Sequence, residues 1–175
     1  MKVVRVAPPP EEERIVSNDL GDLMADLDYP MIVVTAVDGD AREGCLVGFS
    51  SQCSISPLRV MVWISKVNRT SDVATKTEVL AVHYLSTTDG ALAELFGGET
   101  GDEIDKFERC QWHTGPSGAA ILDDCARWFV GRVIERCDTG DHTGLLLEPV
   151  ASQVEPWDGQ LGYQMVRELE PGHPA

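Results

Sequence analysis

The stretch Gly44-Cys45-Leu46-Val47-Gly48-Phe49-Ser50-Ser51-Gln52-Cys53-Ser54-Ile55-Ser56-Pro57 begins as an apolar strand and then becomes small and hydroxyl-rich. Bulky residues usually fill a strand, so Gly48 marks a place where a ligand can approach the backbone closely. The serines and Gln52 that follow offer short polar groups beside backbone amides, which suit the polar edge of a ring or a phosphate. A β-bulge or a barrel corner is the alternative interpretation, because it has the same composition.

A second polar segment, Lys66-Val67-Asn68-Arg69-Thr70-Ser71, follows the apolar run Arg59–Ser65 and leads into the helix-like stretch Asp72–Lys76. Cations at a turn between a strand and a helix predict an anion site. Helix N-terminal amides donate hydrogen bonds there, and the cations add positive charge. The alternative for Lys66 and Arg69 is an ordinary solvated loop.

A third segment, Gly140-Asp141-His142-Thr143, precedes the apolar run Gly144–Val150. Taken in this order, the three segments resemble the flavin reductase family, the FMN-binding split-barrel proteins. The family pattern is a Gly- and Ser/Thr-rich strand ending in Ser-x-x-Pro, a buried strand, a polar turn with Arg or Lys before a helix, and a Gly-Asp-His signature. The resemblance extends from about Tyr29 to Ser152.

The resemblance implies an NAD(P)H:flavin oxidoreductase that uses FMN and takes electrons from NADH or NADPH. It implies that His142 is the catalytic residue and contacts the nicotinamide; the alternative for His142 is an ordinary loop histidine with no role. For Phe49, packing in the core is the alternative to contact with the flavin ring. The implied cofactor-binding residues are Val47, Gly48, Phe49, Ser50, Ser51, Gln52, Cys53, Ser54, Lys66, Asn68, Arg69 and Thr70.

The same resemblance implies a homodimer and reduced flavin that can supply a flavin-dependent monooxygenase. Two other functions are compatible with the same motifs. One is a different oxidoreductase on this fold, with a retained flavin or a deazaflavin. The other is a non-catalytic flavin carrier or sensor, which would bind FMN without consuming NAD(P)H.

Composition excludes several other classes of protein. The net charge of −15, from 14 Lys plus Arg against 29 Asp plus Glu, argues against a nucleic-acid partner because it repels phosphate backbones. No apolar run approaches the roughly 20 residues of a membrane helix, and the N-terminus has no signal-peptide pattern. The five cysteines show no zinc spacing, so we expect reduced, mostly buried thiols in a cytoplasmic protein.

Short apolar runs separated by turn residues predict a mainly β protein with helices (α+β), and the family resemblance makes this an FMN-binding split β-barrel of Greek-key type. We expect one strand over Glu43–Ser54. His83 lies in the apolar run Val79–Leu85 and is predicted to be a core or dimer-interface histidine. The expected organisation is a flexible leader at 1–14, the split-barrel domain at 15–153 and a C-terminal extension at 154–175.

Overall fold

The computed structural model describes residues 18–101 and 104–172, so the predicted leader lies outside the described residues. Strands and helices alternate irregularly along this part of the chain. The strands are β1 (Ile32–Asp38), β2 (Ala41–Val47), β3 (Ser50–Ile55), β4 (Leu58–Ser65), β5 (Val79–Tyr84), β6 (Trp112–Thr114), β7 (Ala120–Leu122), β8 (Arg127–Asp138) and β9 (His142–Val154). The helices are α1 (Asn18–Ala25), α2 (Arg69–Ala74), α3 (Gly90–Gly98) and α4 (Tyr163–Val166).

Most of the strands form one antiparallel sheet in the order β2-β1-β5-β8-β9-β4-β3. β2 and β3 are therefore opposite edges of the sheet, although only Gly48 and Phe49 separate them in the chain. So short a connection forces the sheet to curl until its edges meet. At this junction Trp63 N of β4 donates to Phe49 O at 2.9 Å, which extends the β3–β4 pairing toward the end of β2. The predicted split barrel is confirmed.

The expectation of a single strand over Glu43–Ser54 is wrong, because the structure divides this segment into β2 and β3. β2 pairs with β1, whereas β3 pairs with β4, so the chain must change direction between them. A register shift between Gln52 and Ser54 adds a bulge to β3. Consecutive apolar residues alone do not reveal this break, since both halves have strand-like composition.

Residues on the two faces of β1 enter two different parts of the core, which explains its continuous apolar sequence. Ile32, Val34 and Ala36 point into the barrel. Met31 and Val33 point outward, where α3 and the β6–β7 hairpin cover the sheet. A strand that is buried on both faces does not alternate apolar and polar residues, because neither face is exposed to solvent.

His83 on β5 lies in the core, as the sequence predicts, and is fully buried. Its Nδ1 lies 3.1 Å from Val33 O, and its Nε2 accepts from Leu122 N at 3.1 Å. Nδ1 must therefore carry the proton of the neutral ring. Burial is the main cause that lowers the pKa of His83 from 6.5 to about 4.

The chain after β9 packs back onto the barrel. Met31 N donates to Leu161 O and Leu161 N donates to Leu85 O, each at 2.9 Å. The Gln164 side chain donates to Ala25 O and Leu27 O at the end of α1. The C-terminal residues thus hold α1 and the following loop in place.

The cysteines differ in their exposure. All five cysteines are free, as predicted, but only Cys45 and Cys125 are buried, and Cys53 is exposed on β3. Cys110 and Cys137 are half-buried, so the expectation of mostly buried thiols is wrong; Cys53 is exposed because it lies on the edge strand β3. No helix in the described ranges has the length and apolarity needed to cross a membrane.

Candidate functional site

A cleft of about 400 Å³ opens where β2 gives way to β3. Three parts of the fold form it: the β2–β3 junction with β4 behind it, the turn between β8 and β9, and the segment that contains α1. The lining residues are Met24, Tyr29, Gly48, Phe49, Ser50, Trp63, Thr139, Asp141 and His142. The strand break and the Gly-Asp-His turn, which are far apart in the sequence, therefore meet at one site.

Gly48 is not required by the packing of the protein itself. A methyl group added at this position would meet only the Met31 side chain, at 3.6 Å, which is an ordinary contact. Gly44, four residues earlier on β2, differs because the same methyl group would lie 2.7 Å from the Phe96 ring. Glycine at 44 serves the core, whereas glycine at 48 leaves open space in the cleft.

Aromatic rings form the walls of the cleft. Phe49 is 53% exposed, so its ring belongs to the cleft and the alternative of core packing is wrong. The Tyr29 ring meets it edge-on at 6.4 Å between centroids, and the His142 ring lies 5.2 Å away. An exposed ring beside open space offers a flat apolar surface for another planar group.

His142 begins β9 and turns its imidazole toward the cleft. Its Nδ1 lies 2.7 Å from the Asp141 carboxylate, and this hydrogen bond is the main cause that lowers the pKa of Asp141. The carboxylate accepts the Nδ1 proton, which leaves Nε2 of the neutral ring as a hydrogen-bond acceptor. The Asp141–His142 pair therefore presents an oriented acceptor to whatever binds in the cleft.

Lys66 is exposed, but its side chain ends at this turn. Its Nζ donates to Asp138 Oδ1 at 2.7 Å and to Gly140 O. Its backbone N donates to Asp141 O at 2.9 Å. The hydrogen bond from Lys66 is the main cause that lowers the pKa of Asp138.

The other predicted anion-binding side chains lie apart from Lys66. Asn68 caps α2, where its Oδ1 accepts from Thr70 N at 3.0 Å, and Thr70 is buried. Arg69 pairs with Glu43 on β2, with 2.7 Å between Nε and Oε1. The structure thus divides the Lys66–Thr70 segment between the cleft, which Lys66 approaches, and the Glu43 end of β2, where Arg69 lies.

Arg69 lines a second, smaller cleft of about 240 Å³ with Arg42, Glu43, Asp105 and Lys106. Burial raises the pKa of Glu43 and lowers the pKa of Lys106. Lys106 is only 5% exposed, and its ammonium group donates to the carbonyl oxygens of Gly44 and Phe96. Opposite charges face each other in this cleft. The contacts of Arg69 and Lys106 with β2 therefore attach the β1–β2 hairpin to the rest of the fold.

The remaining predicted residues follow the strand outward from the cleft. Val47 is buried in the barrel core, whereas Ser51, Gln52 and Cys53 are exposed along β3 and Ser54 is half-buried. Because β3 is the last strand on its side of the sheet, alternate backbone amides point away from β4.

The cleft also contains residues that the sequence analysis did not select: Met24, Tyr29, Trp63 and Thr139. Trp63 offered no local signal, since it lies in a continuous apolar run and only the structure shows that it is on the face of β4 opposite the buried Val62 and Ile64. Tyr29 and Met24 offered none, because contacts with the C-terminal residues bring their segment here.

Comparison with known proteins identifies the family of this chain. The family described as "Flavin reductase like domain" matches residues 24–168. The chain belongs to this family. A protein of Ancylobacter novellus named FMN reductase (NADH) RutF is 32% identical over 131 residues, 74% of this chain and 71% of the relative. The protein of the same name from Bradyrhizobium diazoefficiens is 30% identical over 141 residues, covering 79% and 77%.

A solved structure of the family agrees with the fold. The flavin reductase domain protein from Arthrobacter sp. FB24 superposes with a TM-score of 0.75 at 22% identity, covering 83% of this chain and 89% of that one. At this identity the likeness concerns the fold alone. The family resemblance seen in the sequence is confirmed.

Proposed function

We propose that this protein is an NAD(P)H-dependent flavin reductase that binds FMN and oxidises NADH. The observation that carries the proposal is the cleft in which the Asp141–His142 pair faces the glycine-containing break between β2 and β3. The family supplies the class of reaction, and the relatives from Ancylobacter and Bradyrhizobium are named as NADH-dependent FMN reductases.

The residues of the cleft suit a planar, partly polar ring. Gly48 leaves space that the protein does not need for its own packing, and Phe49 offers an exposed aromatic surface. Backbone amides near Ser50 and Gln52 on the edge strand would donate to the polar edge of the flavin. FMN, when bound, supplies a ring that accepts a hydride from the nicotinamide.

The chain contributes mainly binding and orientation. Asp141 holds the His142 ring so that Nε2 can accept a hydrogen bond from the carboxamide N–H of the nicotinamide. Donors on β3 would favour negative charge at the polar edge of the flavin, because fixed dipoles need not reorient during the reaction. The aromatic walls restrict water around the reacting rings.

We also propose that the phosphate of FMN binds at the start of α2. Arg69 is the cation that this assignment needs, and its side chain is 48% exposed. A phosphate there competes with the Glu43 carboxylate, which at present accepts from Arg69 Nε. Binding of the phosphate would then depend on the exchange of one anionic partner for another.

The proposal extends to assembly and cellular role. The apolar side chains of Ile55 and Leu58, 85% and 47% exposed at the β3–β4 turn, suit contact with a second copy in a homodimer. We also propose that the protein is cytoplasmic and that a flavin-dependent monooxygenase is one acceptor of its reduced flavin.

Absorbance spectroscopy tests the function directly. FMN is added to the purified protein, and binding is followed by the change in the flavin spectrum. NADH is then added without oxygen, and we expect the visible flavin absorbance to bleach with saturation in NADH. Bound FMN without bleaching would support a carrier or sensor. A tightly retained flavin or deazaflavin with no turnover of added FMN would support another oxidoreductase.

A variant separates the nicotinamide from the flavin in this assay. His142→Ala should raise the KM for NADH about two- to tenfold, the value of one neutral hydrogen bond, and change the Kd for FMN less than about twofold. His113→Ala is the matched control, since His113 is also paired with an aspartate but is exposed and lies on β6, which does not line the cleft. An unchanged reduction rate at limiting NADH would remove His142 from the mechanism.

A further inference from the structure

Lys66 connects the end of β4 to the turn that carries His142. The Lys66 ammonium contacts one side-chain oxygen and one backbone oxygen of that turn, on Asp138 and Gly140. The backbone N of Lys66 donates to Asp141 O, directly before His142. Ser65 lies opposite His142 in the β4–β9 ladder, so Lys66 extends this ladder into the turn.

The turn has few other restraints. Asp138 Oδ1 accepts from Gly140 N at 3.1 Å, and Thr139 Oγ1 donates to His142 O at 2.9 Å. Both bonds stay within the turn and do not attach it to another element. The Asp138 side chain is 78% exposed, so no core packing holds it in position.

We propose that Lys66 is a positioning residue that holds the Asp141–His142 pair against the cleft, and not a ligand of the flavin phosphate. This inference rests on the proposed function, since His142 is taken to contact the nicotinamide. Lys66 acts by immobilising the turn, so its loss should affect the use of NADH more than the binding of FMN.

Charge attraction is the competing explanation, because a lysine near the cleft could simply attract anionic NADH or FMN. The direction in which a second substitution changes NADH binding distinguishes charge attraction from positioning of the turn. Asp138 is the anionic partner of Lys66. If attraction alone mattered, removal of the Asp138 charge would improve binding of an anion. If the turn must be held, loss of either partner is harmful.

The test compares Lys66→Met, Lys66→Arg and Asp138→Ala with the wild type. Lys66→Met and Asp138→Ala should each raise the KM for NADH about three- to tenfold, with the Kd for FMN within about twofold. Lys66→Arg keeps the charge and the donors and should restore most of the loss. Lys76→Met is the matched control, because Lys76 is an exposed lysine just after α2.

A double-mutant cycle with His142→Ala shows whether Lys66 acts through His142. In that background Lys66→Met should have no further effect on the KM for NADH. Additive losses would overturn the proposal, as would opposite effects of Lys66→Met and Asp138→Ala. A larger loss of FMN than of riboflavin in Lys66→Met would also overturn it and make Lys66 a phosphate ligand.

Hydrogen exchange of residues 138–142 gives a measurement that does not need catalysis. Lys66→Met should speed exchange across this turn, while Lys76→Met should leave it unchanged. Unchanged exchange in Lys66→Met would refute the role of Lys66 in holding the turn. If the wild type fails to reduce FMN but Lys66→Met still exchanges faster across the turn, the proposed function is refuted. The conclusion that Lys66 holds the turn would then stand.

Discussion

Burial of His83 makes the stability of the protein depend on pH. The ring is neutral in the folded state, with Nδ1 donating to Val33 O and Nε2 accepting from Leu122 N. A second proton could attach only at Nε2, where it would face the Leu122 N–H. We therefore expect the folded protein to resist protonation at His83.

The size of the effect follows from the two pKa values. His83 has a pKa of about 4 when folded and 6.5 when exposed. Below pH 6.5 the unfolded chain takes up a proton that the folded chain refuses, so stability is lost as the pH falls toward 4. The free energy of unfolding should fall by about 2 kcal/mol between pH 7 and pH 5 from this residue alone.

Urea denaturation of the wild type and His83→Gln measures this contribution. Glutamine has no charge at either pH and can still donate and accept a hydrogen bond. Subtracting the two pH dependences removes the shared effect of the carboxylates. If the two proteins lose the same free energy within about 0.5 kcal/mol, the reasoning about His83 is refuted. Titration of the His83 ring by NMR gives the folded pKa even where the variant folds poorly.

Two further pairs of substitutions test the cleft. Gly48→Val should remove FMN binding while the protein stays folded, since a side chain here enters the cleft and has only the Met31 side chain nearby, at an ordinary contact distance; normal FMN binding would place the site elsewhere. Gly44→Ala should instead lower the free energy of unfolding by about 1–3 kcal/mol, because its methyl group would overlap the buried Phe96 ring. A calorimetric comparison with Gly48→Ala shows whether this cost is specific. Arg69→Ala should weaken FMN about tenfold and riboflavin hardly at all, whereas Glu43→Gln should tighten FMN by removing a competing carboxylate. Equal effects on both ligands in a fluorescence titration would exclude Arg69 from phosphate binding.

Local sequence patterns predicted much of the fold. The apolar runs Arg59–Ser65, Val79–Leu85 and Gly144–Val150 correspond to β4, β5 and β9, and the second run placed His83 in the core. The small-residue break at Gly48 and the turn before His142 were also visible locally. Each depends on residues adjacent in the chain, whose conformations follow from their own side chains and from glycine.

Only the tertiary structure decided which of these segments form the cleft. The pairing of Ser65 with His142 joins residues far apart in the chain, and it brings Lys66 to the turn of Asp141. Arg69 instead pairs with Glu43 on β2, although only two residues separate it from Lys66. Strand register depends on packing over the whole barrel, so it cannot be predicted from a residue's neighbours in the sequence.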